Sequence, residues 1–213
     1  MEDKNNNFIK TGTTTVGIMC KDGIILAADK RATAGDLIVN KTVDKVFMVG
    51  DSMALTTAGT VSDVQLLLKL IRAEIKLKEI RTGRKCIVKE AANLLAGMVY
   101  ENIRKMSMIP GISHFLFAGV DSSGFHLYDI YPDGSLTEED TFVTSGSGSV
   151  MVYGVLETLY KKEIGLNEGV ELAVKCVNAA IQRDSASGDG IDVIAITKEG
   201  VKRVLKKELK IKL

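Results

Sequence analysis

From the amino terminus, apolar residues first gather in two short β-like runs, 14–20 and 24–29, joined by Lys21-Asp22-Gly23. An Asp-Gly pair between apolar runs predicts a hairpin, because both residues tolerate positive φ. Runs 43–49 and 53–58 repeat the pattern around Gly50-Asp51. The spacing then lengthens to that of a helix starting at Ser62, with Gln65 placed to complete a capping box. Leu67, Leu68, Ile71 and Ile75 fall on one face, and Thr82-Gly83 ends the segment. A second helix is predicted over 88–106, with Ala91, Ala92, Leu95, Val99 and Ile103 on one stripe and Pro110-Gly111 as its stop. Strands return at 115–120 and 125–131 across Ser122-Ser123-Gly124. Two more helices follow, over 150–162 and 167–184. A strand at 191–197, a Lys198-Glu199-Gly200 turn and a short strand at 201–205 close the chain.

Helix pairs separated by strand hairpins cannot build a parallel βαβ sheet. They suit an α+β fold of two antiparallel sheets packed face to face, with helix pairs covering the outside. No repeat, low-complexity stretch or linker divides the 213 residues, which fit one domain or at most two small ones. A hydrophobic fraction of 46% is ordinary for a chain with a real core, and a net charge of +1 favours neither nucleic acid nor anionic lipid. The first seven residues are polar, with no apolar signal core, and no later apolar run approaches the roughly 20 residues needed to span a bilayer. Cys20, Cys86 and Cys176 are scattered, which fits neither a disulfide framework nor a zinc site and suits a reducing cytoplasm.

Several mechanisms are disfavoured by residue type alone. His114 and His126 are the only histidines, both in predicted central strands, and neither stands near a Gly-x-Ser-x-Gly elbow. Metal-binding spacings are missing, so neither metal nor cofactor is expected. Gly146-Ser147-Gly148-Ser149 lacks the Lys-Ser/Thr ending of a phosphate-binding loop and, taken alone, reads as a turn capping a helix. The lysine-rich end, from Lys202 to Lys212, is interrupted by Glu208 and lacks aromatics for base stacking, so it reads as a solvated tail or a subunit contact.

One nucleophile class needs no histidine. An amino-terminal Thr, Ser or Cys supplies both nucleophile and base, because its own α-amine accepts the side-chain proton. That amine titrates near pH 7.7–8.0, and a neighbouring ammonium lowers it further. The segment Lys10-Thr11-Gly12-Thr13-Thr14-Thr15-Val16-Gly17-Ile18 meets these needs: Gly12 allows the unusual backbone that self-cleavage requires, and Thr13 opens the first strand. Consecutive threonines are also plain strand-forming sequence, and this segment alone leaves both readings open.

Further motifs decide between them. Gly-Thr-Thr-Thr-Val-Gly-Ile at 12–18, Ile-Leu-Ala-Ala-Asp-Lys-Arg-Ala at 25–32 and Ala-Gly-Thr-Val-Ser-Asp at 58–63 resemble β-type proteasome subunits. So do Gly-Ser-Gly-Ser at 146–149 with Tyr153-Gly154-Val155-Leu156-Glu157, and Arg183-Asp184-Ser185-Ala186-Ser187-Gly188. They match in order and spacing over nearly the whole chain, and the short leader resembles the archaeal form. The resemblance implies the four-layer αββα sandwich of the amino-terminal-nucleophile hydrolases. It also implies a leader, residues 1–12, removed by self-cleavage between Gly12 and Thr13, and a hydrolase domain over 13–213.

Matched position by position, Thr13 resembles the nucleophile, and Asp29 and Lys45 the family's carboxylate and lysine. Gly59 resembles the oxyanion-hole residue, and Ser147, Asp184 and Ser187 the polar group around the threonine amine. Ala32, Thr33, Val43, Phe47, Thr57, Val61 and Gln65 fall where the family lines its specificity pocket. None of these seven is charged, which implies cleavage after apolar residues. The resemblance further implies homo-heptameric β-rings stacked on each other, capping rings of α-subunits, an unfoldase ATPase and unfolded protein substrates, with neither nucleic acid nor membrane involved. Apolar residues on the first two helices fit ring contacts or core equally. The rival readings are a non-catalytic subunit of the same cage and a small-molecule amidase of the same fold; Thr13, Asp29, Lys45 and Gly59 speak against the first, the 146–149 and 183–188 motifs against the second.

Overall fold

The computed structural model describes residues 12–208, so the expected leader, apart from Gly12, and the last lysines lie outside the described residues. Strands and helices follow in the order β1 (Thr14–Cys20), β2 (Gly23–Asp29), β3 (Ala32–Ala34), β4 (Leu37–Asn40), β5 (Val46–Met48), β6 (Met53–Gly59), α1 (Val61–Thr82) and α2 (Val88–Arg104). The second half runs β7 (Ser113–Asp121), β8 (Gly124–Ile130), β9 (Leu136–Glu139), β10 (Phe142–Gly146), α3 (Ser149–Leu159), α4 (Leu166–Arg183), β11 (Gly190–Thr197) and β12 (Gly200–Glu208). One five-stranded sheet has the order β10-β1-β2-β11-β12 and the other β5-β6-β7-β8-β9. All their pairings are antiparallel.

Period-two alternation separates three apolar layers. In β2, Ile24, Leu26 and Ala28 face the other sheet, while Ile25 and Ala27 face α3 and α4. In β7, Leu116 and Ala118 point between the sheets and Phe115 and Phe117 toward α1 and α2. Strands buried on both faces therefore read as near-continuous apolar runs, and β2 is buried throughout. The helices contribute single stripes: Leu67, Leu68, Ile71 and Ile75 from α1 with Ala91, Ala92, Leu95 and Val99 from α2, and Leu172, Ala173, Cys176, Val177 and Ala180 from α4. These inward residues of α1 and α2 are core. Leu66, Leu70, Leu77 and Ile80, on the other side of α1, are exposed. The product is the expected four-layer αββα sandwich.

Local details differ from the expected pattern. The β1–β2 hairpin forms, with Cys20 opposite Gly23, but neither Asp22 nor Gly23 has positive φ. Asp22 instead accepts a hydrogen bond from the Leu166 N–H at 2.9 Å, and a Cβ on Gly23 would stand 2.4 Å from the Ile196 carbonyl oxygen. The α1 capping box is missing: the helix starts at Val61, one residue early, and its N-cap, Thr60, makes no side-chain cap bond. Its far end is as read, with Gly83 left-handed at φ 67°. Helix α2 stops at Arg104 because Lys105 turns extended, well before Pro110. Strands β3, β4, β9 and β10 are additional to the expected elements: β4 is an apolar run, Leu37-Ile38-Val39, that is wholly exposed, and β9 carries Thr137, Glu138 and Glu139. The basic end is a strand as far as Glu208, paired along its length with β11.

Candidate active site

Thr13 lies immediately before β1, which lies between β2 and the edge strand β10 in one sheet. Its side chain is buried, and its Oγ1 donates to the Gly12 carbonyl oxygen at 2.6 Å. The Lys45 ammonium reaches the same oxygen at 3.4 Å and Asp29 Oδ1 at 2.7 Å. Asp29 ends β2, and Lys45 directly precedes β5, so this ion pair joins the two sheets. Asp29 is fully satisfied: Oδ1 also accepts the Thr14 N–H at 2.9 Å, and Oδ2 the Arg31 and Gly188 N–H groups at 3.0 and 2.9 Å. Such a network offsets the cost of burying two charges. Burial pushes the Lys45 ammonium below its ordinary pKa, while the Asp29 carboxylate works against that fall.

A second cluster closes on Thr13 from the other side. Ser147 Oγ accepts the Thr13 N–H at 3.3 Å and donates to Asp184 Oδ2 at 2.6 Å. Ser187 donates to the same carboxylate oxygen at 2.6 Å and pairs with the Thr14 hydroxyl at 2.7 Å. The Gly146–Ser149 turn precedes α3, but its N-cap, Gly148, makes no side-chain cap bond. The glycines serve close approach instead. Gly146, at φ 95°, would put a Cβ 2.0 Å from the Thr13 carbonyl oxygen, and a Cβ on Gly148 would stand 2.0 Å from Thr14 Oγ1.

The cleft beside Thr13 is lined by the residues expected of a pocket, namely Ala32, Thr33, Val43, Phe47, Thr57, Val61 and Gln65, together with Gly12, Lys45 and Gly59. Gly59 sits at φ 122°, where a side chain would be strained, and its Cβ would lie 2.3 Å from the Ile112 carbonyl oxygen. Thr33 Oγ1 accepts the Gly12 N–H at 3.0 Å. The wall also contains a charge that the uncharged set omitted, Asp44. Burial raises the Asp44 carboxyl, but hydrogen bonds from Lys30 and Lys206 outweigh it and hold the group below its ordinary pKa.

Some residues of the site carried little signal in the chain. Arg31 bonds Asp189 Oδ2 at 2.7 Å and the Ser185 carbonyl oxygen at 2.9 Å, tying β2 to the 184–189 turn. Asp189 is the non-glycine residue with positive φ among those described, at 64°. Its position one residue past the Arg-Asp-Ser-Ala-Ser-Gly motif was the available hint. Both histidines lie elsewhere. His114 meets Asp129 at 2.6 Å, and His126 lies between Glu138 and Ser123, whose hydroxyl also reaches Asp121 at 2.5 Å. The lone Ser123 proton can serve only one of these acceptors, so the contact is no ready nucleophile–base pair.

The four-layer sandwich, with a threonine and a buried lysine meeting at the mouth of its central strands, is that of the amino-terminal-nucleophile hydrolases. Residues 9–196 match the proteasome subunit family. The chain is 46% identical over 191 residues to a proteasome subunit beta of Archaeoglobus fulgidus, covering 90% of this chain and 88% of that protein. It is 46% identical to the Archaeoglobus profundus proteasome subunit beta, with 93% and 90% covered, and 41% identical to that of Methanosarcina mazei, with 97% and 96% covered. The chain belongs to the proteasome subunit family, as a β-type member, and so to a protein-degrading particle assembled from subunit rings. Among the described residues no helix is long and apolar enough to cross a membrane.

Proposed function

We propose that this chain is a catalytic β-subunit, a threonine-type endopeptidase whose nucleophile is Thr13 once residues 1–12 have been removed. The observation that carries this reading is the convergence of Thr13 Oγ1, at 2.6 Å, and Lys45 Nζ, at 3.4 Å, on the Gly12 carbonyl oxygen. In the precursor, Thr13 Oγ attacks the Gly12 carbonyl carbon while the Lys45 ammonium stabilises the developing oxyanion. The Oγ–C bond forms, the Gly12–Thr13 C–N bond breaks, and the hydroxyl proton finishes on the Thr13 nitrogen. Water then cleaves the ester, leaving Gly12 as a carboxylate and Thr13 with a free amine.

In the mature enzyme that amine is the general base. Lys45 lowers its pKa by like-charge repulsion, and Asp29 holds Lys45 in place by a charge-assisted hydrogen bond. Ser147, with Asp184 and Ser187 behind it, orients the amine. Thr13 Oγ attacks the peptide carbonyl, the amine takes the proton and returns it to the leaving nitrogen, and an acyl-enzyme forms. Water frees it by the same route. Gly59 lends the backbone N–H for the oxyanion, which is often the largest single catalytic term. The mainly apolar cleft fits cleavage after apolar residues. In the cell we place the chain in the cytoplasm, in heptameric β-rings stacked between α-rings, with unfolded protein delivered by an ATPase.

Intact mass of the chain co-assembled with its α partner tests this reading. Loss of residues 1–12 with peptidase activity is the expected result, and Thr13→Ala should be neither processed nor active. An unprocessed chain in an assembled, inactive particle would make it a structural subunit instead. Small-amide turnover by a free monomer would make it an amidase.

A further inference from the structure

Asp29 and Lys30 are neighbours at the end of β2, and Asp44 and Lys45 are neighbours before β5. Their side chains form two reciprocal ion pairs, Asp29 with Lys45 and Lys30 with Asp44, each at 2.7 Å. The first pair meets Thr13 through Lys45; in the second, Asp44 lines the cleft beside Thr13 while Lys30 does not. Lys30 is fully buried, and its stem packs where a Cβ on Gly190 would lie, at 2.8 Å. Nothing in the peptidase reading uses it. A lysine is rarely placed in such a site without a structural task, because an unpaired ammonium there is very costly.

The second pair continues outward. Lys206 of β12 reaches Asp44 Oδ1 at 2.9 Å and Oδ2 at 3.0 Å, and Arg203 approaches Oδ2 at 3.9 Å. Arg203 also donates to the Val46 carbonyl oxygen at 3.1 Å and lies 3.3 Å from the buried Asp192 carboxylate. Backbone bonds complete the clamp: the Val43 N–H to the Lys30 carbonyl oxygen at 3.1 Å and the Thr57 N–H to the Lys45 carbonyl oxygen at 2.9 Å. The segment from Val43 to Val46 is thus held by β2, β6 and the C-terminal strand, with Asp44 as the common anchor.

We propose that Lys30 and Asp44 are positioning residues for Lys45, and that β12 supports them through Lys206 and Arg203. The inference rests on the peptidase reading of Lys45 given above. Lys45 Nζ must hold one position relative to Thr13, because misplacement of a catalytic group by about 1 Å can cost on the order of a hundredfold in rate. The Asp29 contact alone fixes the tip of a flexible four-carbon chain. The Lys30–Asp44 pair fixes the backbone from which that chain starts.

The test uses the mature, co-assembled enzyme and a fluorogenic peptide with an apolar residue before the scissile bond. Rates are normalised to processed subunit by intact mass. Asp44→Asn and Lys30→Gln should each lower kcat roughly tenfold or more; for Lys30→Gln, which lies outside the cleft lining, KM should stay within about twofold, the signature of a lost transition-state contribution. The acid limb of the kcat–pH profile should move to higher pH, since a displaced Lys45 no longer depresses the Thr13 amine. Lys206→Ala should move both readouts the same way but less, and Lys30→Arg should retain most activity. Unchanged kcat in both Asp44→Asn and Lys30→Gln, or a fall with the acid limb unmoved, would overturn the proposal. If Lys30→Gln does not assemble, Asp44→Asn and Lys206→Ala decide the matter by the same criteria. Thr13→Ala in the same assay separates the two levels: if it retains turnover, the peptidase reading fails and this inference with it. If it is silent while the Asp44 and Lys30 variants match the parent, this inference alone fails.

Discussion

A single carboxylate, Asp29, organises much of the candidate site. It accepts from Thr14, Arg31, Lys45 and Gly188 with no exposure to solvent. Asp29→Asn would strand the Lys45 ammonium in a buried place, and removing one partner of a buried pair costs about 3–5 kcal/mol. We expect a marked fall in thermal stability together with loss of processing, read by differential scanning fluorimetry and intact mass. Gly146→Ala should act through backbone alone. Positive φ strains any side chain by about 1–3 kcal/mol, and its Cβ would collide with the Thr13 carbonyl at 2.0 Å. The expected outcome is a destabilised chain with Thr13 displaced and peptidase activity lost. A fully active Gly146→Ala enzyme would contradict this geometry. Neither partner was apparent at Gly146 beforehand, since a glycine before a serine looks the same whether it caps a helix or admits another strand.

At the scale of elements, the turn between α1 and α2 is fastened by a forked pair. Arg84 Nη1 and Nη2 meet Glu90 Oε2 and Oε1 at 3.0 and 2.6 Å. The Arg84 hydrogen bonds pull the Glu90 carboxyl from 4.5 down to about 2. A carboxylate that binds its proton more weakly when folded stabilises the fold above its unfolded pKa, and that contribution is lost as pH falls through the folded one. Glu90→Gln should therefore lower the melting temperature slightly at pH 7, the difference shrinking between about pH 4.5 and 2. The effect should amount to about 1 kcal/mol or less and fade in high salt, because exposed pairs are screened. Elements with their own period were legible in the chain. The α1 and α4 stripes and the alternation in β2 and β7 gave type and approximate bounds. Strands β3, β9 and β10 were not, since each is ordered by a neighbour's hydrogen bonds more than by an apolar pattern of its own, and β4, though an apolar run, is too short and exposed to belong to either main sheet.

For the molecule as a whole, the inter-sheet core determines where the chemistry can sit. Thr13 and Asp29 belong to one sheet, while Lys45 and Gly59 belong to the margin of the other. Leu116 is fully buried between them. Leu116→Ala should cost about 2–5 kcal/mol and lower kcat as well, because sheets that shift relative to each other separate Lys45 from Thr13. Thermal unfolding and peptide kinetics on the assembled particle would check both arms. A stability loss with unchanged kcat would show that the site tolerates that shift. The cleft makes a further prediction. In a panel of fluorogenic peptides, those with apolar residues before the scissile bond should be cut fastest. Fastest cleavage after lysine or arginine would mean that Asp44, despite its bonds to Lys30 and Lys206, still presents charge to the substrate.

The chain by itself determined the element order, the period-two and helical faces, and therefore the αββα layering, because burial patterns are local and repeat within one element. It also held the threonine run and the separated motifs that resemble the proteasome family. Tertiary structure alone decided that Thr13 and Lys45 meet at the Gly12 carbonyl oxygen with Asp29 holding Lys45 there, and that Gly146 and Gly148 yield space to Thr13 and Thr14. It also decided that Lys30 and Asp44 form a second ion pair behind the first. The contacts between distant residues among these join positions from 14 to 134 apart. No local pattern records which charged or small residue will face which, because that depends on how two sheets stack.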